Sequence, residues 1–126
     1  MSVQRIQLGL ASVFFCLGGW CLVSPTTVLA LTIRPAYQST APIVSFLVGC
    51  FGAQAMIAGL FAACARFTAT TFVAYGLGLL PFFAFDYWFF FVQPMLTPLG
   101  MLDALGNLIM LALCVVGWRK SGARTC

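Results

Sequence analysis

Asp86 and Asp103 are the only acidic side chains in this chain of 126 residues, and there is no histidine. Asp86 lies inside the aromatic run PFFAFDYWFFF at 81–91, and Asp103 stands four residues before Asn107. At i and i+4, Asp103 and Asn107 share one face of a helix. Two carboxyls and an amide brought together can share a proton, pair with Arg34, clamp helices by hydrogen bonds, or border a small wet pocket. Arg34 is the basic residue placed to join them. Without histidine, general acid–base work falls on the aspartates. No serine or cysteine stands in a nucleophile context, and no glycine-rich phosphate loop is present.

The elements that must carry these residues follow from composition. The chain is 63% hydrophobic and 6% charged, with mean hydropathy +1.08. A water-soluble domain carries about 25% charged residues to cover its surface, so the expected solvent here is lipid. Four apolar stretches, 6–23, 42–65, 69–92 and 99–118, each approach the roughly 20 helical residues that cross a bilayer core. Backbone in lipid must satisfy its own hydrogen bonds, which favours helices. The expectation is one domain over 1–126, an all-α integral membrane bundle of four transmembrane helices.

The basic residues set an orientation. Four spans put Arg5, Arg66, Arg119, Lys120 and Arg124 on one side and leave Arg34 alone on the other. An excess of Lys and Arg marks the cytoplasmic side, so both termini are expected there, in a plasma membrane of bacterial type. Between the first two spans, Pro25 and the residue before Pro35 delimit a short outer interfacial helix at 25–33. The charge forms no basic stripe, so nucleic acid is not an expected partner. Six scattered cysteines without histidine offer no zinc site, and no cofactor is evident. Cys16, Cys50, Cys64 and Cys114 read as small apolar side chains within the bundle, and Cys126 as a free terminal thiol.

Within the second span, Gly49 and Ala53, and Ala55 and Gly59, are four apart, the spacing that lets membrane helices approach closely. Gln54 lies near the middle of the same span, where an amide either bonds a neighbouring helix or lines a cavity. Pro81 removes a backbone donor from the third span, so a kink is expected there. The short connection between the last two spans makes them antiparallel neighbours. By the rise per residue, Asp86 lies roughly 10 Å and Asp103 about 7–8 Å below that connection. An aspartate at the centre of a membrane helix costs about 2.5–3.5 kcal/mol, less toward the interface. The expected arrangement is an outward pocket between helices, floored by Asp86, Asp103 and Asn107, near Arg34 and Gln54. Its aromatic wall is Phe82, Phe85, Tyr87, Trp88 and Phe89.

The stretches GGWCLVSPTTV, GCFGAQAMIAGL and DALGNLIMLAL resemble small four-helix membrane proteins of the DoxX-like type. That resemblance implies a four-span fold and assigns no activity. The expected function is non-catalytic: an accessory subunit of a larger membrane complex, or a binder of a lipid, quinone, sterol or pigment. The bilayer is the first partner, with a larger membrane protein or a second copy as further candidates. The alternatives are a proton-coupled transporter or channel using Asp86 and Asp103, and an isomerase-like membrane enzyme acting on an apolar substrate.

Overall fold

A computed structural model describes residues 2–122, so Arg124, expected with the terminal basic residues, and Cys126, expected as a free thiol, lie outside the described residues. The described chain is helical and contains no strand. Its helices are α1 (Val3–Val23), the short α2 (Pro25–Thr32), α3 (Pro42–Cys64), α4 (Ala69–Tyr87) and α5 (Leu102–Gly122). Four of these segments are long and apolar enough to cross a membrane: Val3–Val23, Pro42–Cys64, Ala69–Val92 and Pro98–Gly122. Large apolar side chains such as Phe46, Phe61, Leu77, Phe85 and Phe91 stand exposed on the outside.

Local chemistry accounts for the helix ends. Ser2 caps α1 by accepting from the Arg5 amide, and Thr68 with Thr71 forms a reciprocal capping box on α4. Pro25 and Pro42 occupy first-turn positions, where a missing N–H costs nothing. The end of α3 is closed from outside. Gln7 of α1 is buried, and its amide donates to the Ala62 and Ala65 carbonyls at 3.1 and 2.6 Å. A glutamine in the first turns of an apolar helix carries no sequence signal for this role, because its target is 55 or more residues away.

Pro81 lies inside α4 without interrupting the helix, which continues to Tyr87. The irregularity falls further on, where Trp88–Val92 widens into a π turn and Gln93 donates to Trp88. Phe89 within that turn accepts from the Met95 and Leu96 amides. The two connections at this end of the bundle are then laced together. Arg34 N donates to Met95 O at 2.8 Å and Thr97 N to Thr32 O at 2.9 Å, and the Thr97 hydroxyl bonds Leu31 O. We call this the laced end and the opposite one the terminal end.

Helix α1 packs along α3 and also against α5, and α5 packs along α4. Helices α3 and α4, although consecutive in sequence, approach at few points. The bundle is therefore a ring with one loose seam. Its tightest contact is between α1 and α3. A Cβ on Gly52 would lie 2.5 Å from the Leu22 nitrogen, and one on Gly18 would lie 2.6 Å from the Ala55 Cβ. Gly59 packs with equal economy against Phe14 and Phe15. Of the small residues expected to mediate packing, Ala55 and Gly59 do so. Gly49 does not, since a Cβ there meets nothing within 4 Å, and Ala53 is only half-buried. The working spacing is Gly52, Ala55, Gly59 (three and then four residues), which follows the 3.6-residue turn better than repeated fours.

The cysteines divide in the same way. Cys114 is buried in the core with Ile6, Leu10 and Phe72, whereas Cys16, Cys50 and Cys64 face outward and do not pack inside the bundle.

Filling the α1–α3 seam should be costly. Gly52→Leu is expected to destabilise the bundle by about 2–3 kcal/mol or more, because backbone must separate. Gly49→Leu, which enters open space, should change stability by less than about 0.5 kcal/mol. Thermal unfolding of the two variants in one detergent checks the contrast.

Candidate functional site, an acid-lined cavity behind the α3–α4 seam

The loose seam between α3 and α4 opens onto a cavity of about 380 Å³. Two cross-links bound it. Toward the terminal end, the Tyr75 hydroxyl of α4 donates to the Ala58 carbonyl of α3 at 3.2 Å. Toward the laced end, the Phe51 and Phe82 rings meet across the seam with centroids 6.4 Å apart. Phe51 to Ala58 and Tyr75 to Phe82 each span seven residues, roughly 10 Å of helix rise. The window between these cross-links is edged by Ala55, Ala58, Ala74 and Gly78, which carry almost no side chain. Phe14, Leu17 and Met110 form the back wall from α1 and α5.

A second cavity of about 320 Å³ lies on the laced side of Phe51 and Phe82. Leu17, Phe51, Phe82 and Asp103 are common walls of both chambers, so the two adjoin. Thr32, Leu96 and Gly100 from the laced connections line its far end. Gly100 is required there, because a Cβ would lie 2.8 Å from the Thr32 carbonyl.

The polar groups collect where the chambers meet. Asp86 is 7% exposed and Asn107 3%. The Asn107 amide donates to Asp103 Oδ2 at 2.9 Å. Asp86 and Asp103 both line the second chamber. The last two spans thus do bring their acids together. Asp103 lies in the first turn of α5, where the helix dipole favours negative charge. Asp86 has no such support, and its Oδ2 is buried without a hydrogen-bond partner.

Helical period sorts the aromatic run. Phe82 and Phe89 lie four residues before and three after Asp86 and line the second chamber with it; Phe85, next to Asp86, borders the chamber but is largely exposed. Tyr87 and Trp88 fall on the other side of α4, are 62% and 52% exposed, and line neither chamber. They are not part of the wall. Gln54 borders the first chamber and makes no helix-to-helix hydrogen bond. Arg34 does not reach the acids, since its guanidinium donates to the Leu96 carbonyl at 2.9 Å. It supports the roof of the site. The sequence pointed to none of the other participants, namely Tyr75, Phe51, Leu17 and Thr32. Each is common in type, and its place depends on which helices end up side by side.

No group of three or more metal-ligating side chains occurs among the described residues. Comparison with protein-family models, with curated proteins and with solved structures finds no match to this chain.

Asn107 should matter through its amide rather than its volume. Asn107→Leu is expected to destabilise the protein by about 1–3 kcal/mol, since it leaves buried acceptors unpaired. Adding Asp103→Leu should recover part of that loss. Denaturation of the single and double variants checks the coupling.

Proposed function

We propose that this chain is a multi-pass membrane protein that holds a lipophilic molecule in the paired chambers, admitting it sideways from the bilayer between α3 and α4. The observation that carries this reading is the seam itself. An apolar cavity of drug-sized volume opens through the flank of the bundle, where exposed Phe and Leu side chains would meet lipid. The laced connections are tied together at the end where an aqueous route would start and line the far end of the second chamber. A ligand of low solubility in water then needs no aqueous step to reach its site. The likeness to DoxX-like proteins belongs with this reading as a proposal about fold and membrane setting.

We also propose an orientation, from the distribution of basic residues. Arg66 in the α3–α4 connection lies with Ser2, Val3 and Ser121 around one polar groove, and Arg119 and Lys120 occupy the last turn of α5. Arg34 stands at the opposite end. By the positive-inside rule the terminal end faces the cytoplasm and the laced end faces out. A C-terminal green fluorescent protein fusion should fluoresce and a C-terminal alkaline phosphatase fusion should be inactive; the reverse result overturns this orientation.

Gly78 offers the direct test of the chambers. It edges the window, and a Cβ added there meets nothing within 4 Å. Gly78→Phe should therefore fold, with unchanged helical circular dichroism, while its ring occupies the cavity. Native mass spectrometry from nanodiscs should show a retained lipophile on the wild-type protein and on Gly49→Leu, with at least tenfold less on Gly78→Phe. A wild-type chain that is always released bare overturns the proposal.

A further inference from the structure

We infer that the molecule held in these chambers carries a protonated amine, seated against Asp86 and Asp103, at the end of an apolar body. This rests on the lipophile-binding reading above and adds the chemistry of the head group.

The inference starts from donors and acceptors. Two ionised carboxyls present four oxygens, and a carboxylate only accepts hydrogen bonds. The Asn107 amide, which has two N–H groups, donates to Asp103. Two nearby donors are engaged elsewhere. The Arg34 guanidinium holds Leu96 O, and the Thr32 hydroxyl donates to Val28 O at 2.7 Å. Among the described residues, the Gln54 amide, the Trp20 indole and the Cys21 thiol, which also border the chambers, make no hydrogen bond to either acid. Asp86 Oδ2 is left buried and unpartnered.

Charge leads to the same answer. No basic side chain lines either chamber, and Asp86 and Asp103 both face the second chamber among mostly apolar side chains. A buried charge without a partner is strongly unfavourable. An ammonium group supplies what is missing, with one positive charge and up to three N–H donors. Phe82 and Phe89 stand on the same helix face as Asp86, and aromatic faces attract a cation that has lost its water. A neutral alcohol would bring one donor and no charge, and a carboxylate would add a third negative charge. The chamber beside Gln54 then takes the apolar body, whose tail leaves through the window toward lipid.

Three probes with the same chain length separate the possibilities: dodecylamine, 1-dodecanol and dodecanoate, each titrated into the protein in nanodiscs and read by native mass spectrometry. Dodecylamine should bind at least tenfold more tightly than dodecanol, and dodecanoate more weakly still. In the Asp86→Asn/Asp103→Asn double variant, which keeps shape and removes charge, the amine and the alcohol should bind equally. Gly78→Phe should weaken all three together. Equal binding of amine and alcohol to the wild-type protein overturns the head-group inference while leaving a lipophile site in place. An amine preference that survives in the double variant overturns it also, because the preference then belongs to the membrane surface. Failure of every probe to bind, with no effect of Gly78→Phe, removes the lipophile reading itself.

Discussion

Helices in lipid gain little from burying apolar surface against one another, so close fit decides which pairs form. In this protein the closest fit joins α1 to α3, where Gly18 meets Ala55 and Gly52 lies against the backbone of Leu22. That fit draws α3 toward α1. On the other side, Gly117 lies against the Phe72 ring and holds α4 to α5. With both strong pairings made elsewhere, α3 and α4 are left facing each other across a seam with two cross-links. The cavity is thus a consequence of where the small residues are, and its window is edged by further small residues that do not fill it.

The polar cluster depends on this arrangement. The α4–α5 hairpin sets Asp86 and Asp103 on the second chamber, and Asn107 bonds Asp103 from within α5. Because α3 stands off, the carboxyls face a void instead of a packed neighbour. Had α3 closed over them, they would need a base or a hydrogen-bonding partner from that helix, and α3 contains no basic residue. Arg34 is near enough in sequence to have served, but the lacing of the two connections directs it to Leu96. Structural tying and the electrostatics of the site are therefore separated. One basic residue secures the roof, and the acids beneath it stay unneutralised by protein.

Much of the architecture was legible in the residues. Hydropathy marked the four long helices to within a few residues, and Pro25 and Pro35 delimited the short helix. The pairing of the two acids was also legible, because a connection as short as 93–97 forces its flanking helices side by side. The aromatic wall was half legible. The run itself is obvious, but assigning Tyr87 and Trp88 to it ignored the 100° turn between neighbouring helical residues. Gly49 misled for a similar reason, since spacing by fours names candidate faces without saying which face meets a helix. Gln7 was invisible, because its meaning lies in carbonyls at the far end of another helix.

What the sequence determined by itself was everything governed by short range and by solvent: helical segments, their lengths, their caps, and the depth of each acid along its own helix. These follow from backbone hydrogen bonding and from the periodicity of apolar side chains, which neighbouring residues settle among themselves. The tertiary structure alone decided which helices touch, and therefore that the seam falls between α3 and α4, that Arg34 turns away, and that Asp86 faces a cavity. Helix pairing is a competition among surfaces of nearly equal hydrophobicity. It is won by differences of a single Cβ, which appear only when two particular faces are brought into contact.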